Sequence, residues 1–128
     1  MTLCEGHVGV DNGRVTIPLA LRSLVRETVN LIFVPKEGFI AGWPSLMSSF
    51  APSSGTIAVA VEFRYRMNIP HRLMQLAGIT DTVVFVGGVH HDGYFEIWSE
   101  KGWQQQLELY NKMVEHWQSV IARSYVID

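Results

Sequence analysis

The feature that most constrains this chain is a sequence pattern that occurs twice, 52 residues apart. Residues 14–22 can be laid over residues 66–74, and each stretch contains an Ile-Pro pair. At the same offset, the apolar run 31–34 meets the apolar run 83–86. Few residues are identical, but the order of apolar, proline and aromatic positions is the same. The chain is therefore predicted to contain two copies of one structural unit.

Each copy predicts two strands joined by a turn, then a short helix and two more strands. An Asp-Asn-Gly sequence at 11–13 is the turn signal of the first copy, because Asn and Gly tolerate the positive φ of tight hairpins. Pro18 and Pro70 can open short helices over 19–25 and 71–77, and Gly78 can end the second. The predicted strands are 8–17, 31–34, 39–40, 58–69, 83–86 and 94–98. Of these, 31–34 and 83–86 are apolar throughout and predict buried strands.

A unit of about 45 to 50 residues cannot close a hydrophobic core by itself. We therefore predict that the two copies share one core and form a single body, mainly β with short helices, in the α+β class. The predicted division is 1–50 for the first copy, 51–57 for a linker, 58–103 for the second copy and 104–128 for a C-terminal helix and tail.

The C-terminal segment carries the clearest local signal. Its large apolar residues recur every three or four positions, which predicts one apolar face of a helix; they are Trp103, Leu107, Tyr110, Val114, Trp117 and Ile121. Ser99 is a suitable N-cap, and Glu100 suits the first turn. The stripe can pack on the chain's own strands or on a neighbouring subunit. Both apply if Trp103 and Leu107 pack on the chain's own strands while Trp117 and Ile121 face a neighbouring subunit.

Composition restricts the class of protein. The 128 residues include 10 Lys+Arg against 12 Asp+Glu, a net charge of −2, which excludes binding of nucleic acid by bulk positive charge. Hydrophobic residues make up 48%, which excludes an intrinsically disordered chain and favours self-association. The lone Cys4 makes no internal disulfide, and neither a membrane span nor a secretory signal is visible. A cytoplasmic protein with no membrane partner is predicted.

The sequence shows no recognisable catalytic motif, such as a nucleophile elbow, a zinc-protease helix or a P-loop. His90 and His91, next to Asp92, could begin a metal site, but no further ligand is suitably spaced, so a solvated loop is the better interpretation. We predict no catalytic residue, metal, cofactor or small-molecule substrate, and no enzyme. An enzyme that uses these histidines with a metal is the remote alternative.

Arginines are the candidate binding residues. Six of the ten basic residues lie in corresponding stretches of the two copies: Arg14, Arg22, Arg26, Arg64, Arg66 and Arg72. A guanidinium near a hairpin turn can bind guanine or phosphate through two parallel hydrogen bonds. Arg64 precedes Arg66 by two residues, which predicts that both lie on one face of a strand. The alternative is that such an arginine forms a structural ion pair with Asp11 or Glu62.

Several motifs together resemble one family. They are Gly-Arg-Val-Thr-Ile-Pro at 13–18, Leu-Ala-Gly-Ile at 76–79, Val-Val-Phe-Val-Gly at 83–87 and Phe-Glu-Ile-Trp-Ser at 95–99, followed by Trp103. In this order the sequence resembles the MraZ proteins, a branch of the SpoVT–AbrB-like transcription regulators. The resemblance covers nearly the whole chain. It implies tandem swapped-hairpin repeats in one β-barrel-like body, and a homo-oligomer, with a ring as one form, that binds DNA at the nucleoid.

The family's DNA contacts lie in an Asp-x-x-Gly-Arg loop in each repeat. Arg14 and Arg66 take its arginine position, and Gly13 keeps the glycine, which Tyr65 replaces in the second copy. The aspartate position falls on Val10, beside Asp11, and on Glu62. The residues expected to bind DNA are Arg14, Arg66, Arg64, Arg22 and Arg72. Because neither motif is complete and the net charge is negative, the alternative is a protein-interaction or antitoxin-like module of the same fold that has lost DNA binding.

Overall fold

The computed structural model describes residues 3–44, 55–88 and 93–125. The strands in these ranges are β1 (Leu3–Gly9), β2 (Arg14–Thr16), β3 (Thr28–Val34), β4 (Phe39–Pro44), β5 (Ile57–Ala60), β6 (Arg66–Asn68), β7 (Thr82–Gly88) and β8 (Phe95–Ser99). The helices are a 3₁₀ helix (Leu19–Leu24), α1 (His71–Ala77) and α2 (Glu100–Tyr125). The fold is thus mainly β with helices, which confirms the predicted α+β class.

Within the described ranges, six strands form one antiparallel sheet in the order β1-β7-β8-β4-β3-β5. The other two described strands, β2 and β6, pair with each other in a short ribbon, called here the β2–β6 ribbon. The sheet order is symmetric about its centre: β8 and β4 are the middle pair, β7 and β3 flank them, and β1 and β5 lie at the edges. Each edge strand therefore pairs with a strand from the other half of the chain.

Other parts of the chain cover both faces of the sheet. Side chains alternate along its central strands, so each strand contributes residues to both faces. Phe95 and Ile97 of β8 join a core that also contains the buried residues of the β2–β6 ribbon and of the short helices. Trp98, between α2 and the sheet, joins a second cluster with Phe39 and Trp103. The first cluster holds the ribbon against the sheet, and the second holds α2 against the opposite face.

Several of the predicted strand regions differ from the observed strands. Residues 83–86 of β7 are buried, as predicted, whereas 31–34, also predicted to be buried, is buried only in part. Leu31 is buried, whereas Ile32, Phe33 and Val34 are only partly buried. In addition, β1 begins at Leu3, well before the predicted start at residue 8. As an edge strand, β1 is held by backbone pairing with β7, which leaves little side-chain pattern to read.

The short helices lie where the proline signals predict them. The first is a 3₁₀ helix that buries Leu21, and the second is α1, which buries Leu73 at the equivalent position. Pro18 and Pro70 occupy the N-cap positions, one residue earlier than the position that proline usually favours. Gly78 ends α1 with φ 69°, a left-handed conformation that glycine adopts without strain.

Helix α2 starts with the predicted cap, since the Gly102 amide donates a hydrogen bond of 2.9 Å to Ser99 Oγ. Trp103 is buried and Leu107 half-buried against the sheet, whereas Trp117 is 58% and Ile121 52% exposed. The first two residues of the predicted stripe therefore pack on the chain itself. No helix in the described ranges is both long and apolar enough to span a membrane.

The predicted division into segments 1–50, 51–57, 58–103 and 104–128 stays a prediction. Most of the linker lies outside the described residues, although β5 already begins at Ile57. The terminal helix begins at Glu100 and therefore includes Trp103.

Candidate nucleic-acid interface

The β2–β6 ribbon brings the two copies of the repeated pattern side by side. Its strands are antiparallel, with Arg14 opposite Asn68, Val15 opposite Met67, and Thr16 opposite Arg66. Val15 and Met67 are buried at 1% and 0% exposure. Because side chains alternate across a strand, the other pairs lie on the outer face.

The outer face of the ribbon is polar and rich in hydrogen-bond donors. Arg14, Arg66 and Asn68 are exposed, and Thr16 is half-buried. The arginines are diagonal to each other, each next to a shorter polar residue on the facing strand. The face thus presents two guanidinium groups, an amide and a hydroxyl group.

Backbone hydrogen bonds lock the two ends of the ribbon. The Ile17 amide donates to the Tyr65 carbonyl at 2.8 Å, and the Ile69 amide donates to the Gly13 carbonyl at 2.8 Å. At one end, reciprocal hydrogen bonds between Asp11 and Arg14 close the predicted turn. Its central residues have φ 51° and 79°, which confirms the turn expected from the Asp-Asn-Gly sequence.

The turn at the other end spans 62–66 and is called here the second turn. The Glu62 amide donates to the Arg66 carbonyl at 2.7 Å, which closes a loop of Phe63, Arg64 and Tyr65. Arg64 has φ 63° and Tyr65 φ 59°. The prediction that Arg64 and Arg66 share one strand face is therefore wrong, because alternation does not hold through left-handed residues. Tyr65 also adopts the left-handed backbone of its counterpart Gly13, at a steric cost that glycine avoids.

Arg14 has an acidic neighbour from the other half of the chain. Its Nη2 lies 3.8 Å from Glu62 Oε2, and Asn68 Nδ2 donates a hydrogen bond of 3.3 Å to Glu62 Oε1. Such an exposed pair contributes about 0–1 kcal/mol to stability. The ion pair expected from the structural alternative is thus present for Arg14, but it is weak, and a guanidinium has five N–H donors.

Arg22 has a structural role. Its Nε donates a hydrogen bond of 3.0 Å to the Ile17 carbonyl, and its Cζ lies 4.7 Å from the centroid of the Tyr65 ring. The half-buried side chain therefore braces the end of β2 against the second turn.

The structure gathers five of the described arginines around the second turn. Arg64 and Arg66 belong to the turn or border it, Arg14 reaches Glu62, Arg22 covers Tyr65, and Arg26 lines a cleft beside Arg64. Two acidic residues, Glu27 and Glu62, line the same cleft. Arg72 is exposed on α1, and within the part of the chain that the structure describes no ion pair or ring contact joins it to this cluster.

Three residues of this surface were not predicted. Asn68 and Thr16 are short polar residues whose position beside the arginines follows from the pairing register, which has no local sequence signal. Phe63 was assigned to a strand by its apolar character, yet it lies in the second turn and is 83% exposed. The one sequence feature that indicates its exposure is its place between a glutamate and an arginine.

A polar contact joins β1 to the start of α2 on the other side of the molecule. Trp103 Nε1 donates a hydrogen bond to Glu5 Oε1, and His7 Nε2 lies 3.1 Å from Glu5 Oε2. These contacts, that of Trp103 first, lower the pKa of Glu5 below its ordinary value. His7 Nδ1 also lies 3.6 Å from Glu100 Oε1.

Beside this contact, an aromatic groove of about 480 Å³ lies between α2 and the sheet, lined mainly by Phe39, Trp98, Trp103, Leu107 and Tyr110. Glu96 is buried there and accepts a hydrogen bond of 2.8 Å from Trp98 Nε1. Burial, together with the charge of Glu96, raises the pKa of Tyr94. This groove is separate from the arginine cluster.

No group of three or more His, Cys, Asp or Glu side chains suited to a metal occurs among residues 3–44, 55–88 and 93–125. His90, His91 and Asp92 lie outside these ranges.

Comparison with known proteins agrees with the motifs. Residues 54–120, more than half of the chain, match the family model described as "MraZ protein, putative antitoxin-like". The chain is also 29% identical over 118 residues to the "Transcriptional regulator MraZ" of Dictyoglomus thermophilum, an alignment that covers 74% of this chain and 76% of that protein. The extent of the family match and the shared order of motifs establish that this chain is a divergent member of the MraZ family.

Proposed function

We propose that this protein is a DNA-binding transcriptional regulator that contacts DNA through the outer face of the β2–β6 ribbon. The observation that carries the proposal is the diagonal placement of Arg14 and Arg66, each beside a shorter polar residue on an exposed two-stranded ribbon. The relative from Dictyoglomus thermophilum is named as a transcriptional regulator, which agrees with this role.

The chemistry of the ribbon suits DNA. The major groove is wide enough for a two-stranded β-ribbon, and arginine forms paired hydrogen bonds with guanine. Asparagine does the same with adenine, so Asn68 extends the contact surface beyond the arginines. Arg64, Arg26 and Arg72 serve as phosphate contacts at its margins, while Arg22 acts mainly by holding Tyr65. A net charge of −2 does not prevent this, because the positive charge is concentrated at one place.

The proposal includes tandem swapped-hairpin repeats in a barrel-like body. The symmetric sheet order and the central pair of Val15 and Met67 support it, because these residues occupy equivalent positions of the repeated pattern. In such an arrangement the first strand of each repeat pairs within the other repeat, as β1 does with β7 and β5 with β3.

The proposal also includes a homo-oligomer, with a ring as one form. The distal part of α2 supports it: Trp117 and Ile121 are more than half exposed, and so are Leu109, Tyr110 and Met113. A continuous apolar surface of this kind is typical of an interface between subunits. Several ribbons in one assembly would strengthen binding to repeated DNA sites. We assign the protein no reaction, cofactor or small-molecule substrate, and we propose that it acts in the cytoplasm, at the nucleoid.

The test is a titration of duplex DNA at several salt concentrations. The logarithm of the binding constant should fall linearly with the logarithm of salt concentration, because bound phosphates release counterions. Arg14→Ala and Arg66→Ala should each lower this slope by about one if they contact phosphate, or cost about 1–3 kcal/mol of binding energy if they contact guanine. Lys36→Ala, an exposed single-charge change in the turn after β3, is the control.

Absence of binding at low salt would contradict the proposal. The second candidate, a protein-interaction or antitoxin-like module, is favoured by the ion pair that Glu62 forms with Arg14 and by Tyr65 at the family's glycine position. Co-purification of a second polypeptide, combined with no DNA binding by the wild-type protein at low salt, would support that candidate instead.

A further inference from the structure

Phe63 stands out on the surface next to the ribbon. Of the large apolar residues that the structure describes, it is the most exposed, at 83%. It lies at the outer end of the second turn, between Glu62 and Arg64. A single exposed apolar residue is common on protein surfaces, so what distinguishes Phe63 is the loop that holds it and the charge beside it.

The second turn holds Phe63 in a defined place. The Glu62–Arg66 hydrogen bond of 2.7 Å closes the loop, and the left-handed residues Arg64 and Tyr65 follow it. The Arg22 guanidinium covers the Tyr65 ring, which anchors the loop to the end of β2. Strained backbone of this kind persists only where the surroundings hold it, and it is concentrated at functional sites. The ring is thus presented by an ordered loop next to the ribbon.

A guanidinium lies against the ring. Arg64 Cζ lies 5.3 Å from the centroid of Phe63, and Arg66 begins the adjoining strand. Arg26 lines a cleft together with Arg64, and so do Glu27 and Glu62. An apolar ring with a guanidinium against it is complementary to DNA, where apolar base surfaces lie between two rows of phosphates.

We propose that Phe63 is a base-contacting residue, with Arg64 and Arg66 holding the flanking phosphates. The ring makes an apolar contact with a base, either at the methyl group of a thymine or at the face of a base in an opened step. This inference rests on the proposed DNA-binding function and adds a specificity-determining residue to it.

The contact belongs to the second turn alone. At the 52-residue offset Phe63 corresponds to Asp11, a carboxylate that would repel phosphate. The first turn also has Asp81 nearby, since the Val10 amide donates a hydrogen bond of 2.8 Å to its carbonyl. Each subunit would therefore offer one aromatic contact, so the two ends of the ribbon are not equivalent toward DNA.

The experiment compares Phe63→Ala with Arg64→Ala. The probe is a duplex that the wild-type protein enriches from a randomised DNA pool, titrated at several salt concentrations. Phe63→Ala should weaken binding about tenfold or more with an unchanged salt slope, because a base contact by an apolar ring releases no counterion. Arg64→Ala should lower the slope by about one. Leu19→Ala, which truncates another highly exposed apolar residue, is the matched control and should bind like wild type.

Two modified probes identify the contacted surface. Replacing thymine by deoxyuridine removes the methyl group and should weaken wild-type binding but not that of Phe63→Ala if the methyl is the contact. A 2-aminopurine in the site should become more fluorescent on wild-type binding if a step is opened. Circular dichroism and the mass of the assembly establish that the variant is folded.

The outcomes are distinguishable. If the wild-type protein binds no duplex, the proposed function fails and the inference fails with it. If it binds, and folded Phe63→Ala binds equally well, only the inference is wrong. A folded Phe63→Ala protein with unchanged DNA binding and a smaller assembly would make Phe63 a subunit contact, and unchanged DNA binding with lost affinity for anionic vesicles would make it a membrane contact. Either result overturns the inference.

Discussion

Val15 and Met67 face each other at the centre of the β2–β6 ribbon, and both side chains are buried in the core beneath it. They are the equivalent positions of the two halves of the chain, so this pair joins the halves directly. Met67→Ala would leave a cavity at the junction and should lower the free energy of unfolding by about 2–5 kcal/mol. Urea unfolding measures the loss. Leu76→Ala, at an exposed position of α1, is the control, and an equal effect of both would contradict the packing described.

Position 13 requires glycine because of its backbone conformation and not because space for a side chain is lacking. Its φ is 79°, and a Cβ atom there would come no closer than 3.5 Å to the nearest atom, the Ile69 carbonyl oxygen. Gly13→Ala should therefore destabilise the protein by about 1–2 kcal/mol through left-handed strain alone. Gly9→Ala, in β1 with open space around it, should cost far less in the same thermal or urea unfolding experiment. A comparable loss in both variants would show that the turn conformation is not the cause.

Glu62 limits the positive charge of the ribbon, because its carboxylate contacts both Arg14 and Asn68. Glu62→Gln keeps an acceptor for Asn68 while removing the negative charge next to the proposed DNA site. Duplex DNA should then bind roughly two- to fivefold more tightly, as expected for one exposed charge interaction of up to about 1 kcal/mol. Glu108→Gln removes the same charge from an exposed position of α2 and is the control. Weaker binding of Glu62→Gln would mean that the carboxylate positions Arg14 for DNA.

The exposed apolar residues in the second half of α2 predict that a polar substitution there weakens the association of subunits. Trp117 is 58% exposed on a helix whose earlier turns are packed on the sheet. If this residue anchors a subunit interface, Trp117→Ser should weaken association by about 2 kcal/mol or more, or roughly thirtyfold. Sedimentation velocity over a range of concentrations measures the shift toward smaller species. Gln118→Ser changes a neighbouring exposed residue and should leave the distribution unchanged; identical distributions for wild type and Trp117→Ser would disprove the anchor.

The lowered pKa of Glu5 predicts how acid weakens the contact between β1 and α2. Hydrogen bonds from Trp103 and His7 lower the pKa of Glu5 below its ordinary value of 4.5, so the folded protein takes up this proton less readily than the unfolded chain. The carboxylate therefore contributes stability above pH 4.5, and this contribution is lost as the pH falls further through the lower pKa of the folded state. Glu5→Gln should remove that part of the pH dependence. Urea midpoints at neutral and acidic pH measure it, and parallel losses in both proteins would contradict the role of Glu5.

Features that depend on neighbouring residues were predictable from the sequence. The turn at 11–13, the helix His71–Ala77 and the cap at Ser99 each follow from φ preferences or side-chain capping within about four residues. The same applies to the apolar stripe of α2, and the structure agrees with the alternative in which Trp103 packs on the chain itself and Trp117 does not. That difference depends on where the sheet ends beneath the helix.

Features that depend on distant pairing were predicted incorrectly or not at all. Alternation predicted one face for Arg64 and Arg66, but two left-handed residues interrupt it. The apolar run 31–34 was predicted to be a buried strand, yet Ile32, Phe33 and Val34 are only partly buried. No distinctive residue type nearby in the sequence indicates that Tyr65 is left-handed or that β3 is only partly buried.

The sequence by itself determined the class of fold, the places of its short helices and of the first turn, and which arginines are candidates for DNA contact. Only the tertiary structure decided that Arg14 lies beside Asn68, that five arginines surround the second turn and that Phe63 points away from the core. The physical reason is that φ preferences and periodicity act along the chain. The register of β2 against β6 is instead set by packing between residues about fifty positions apart, above all Val15 and Met67.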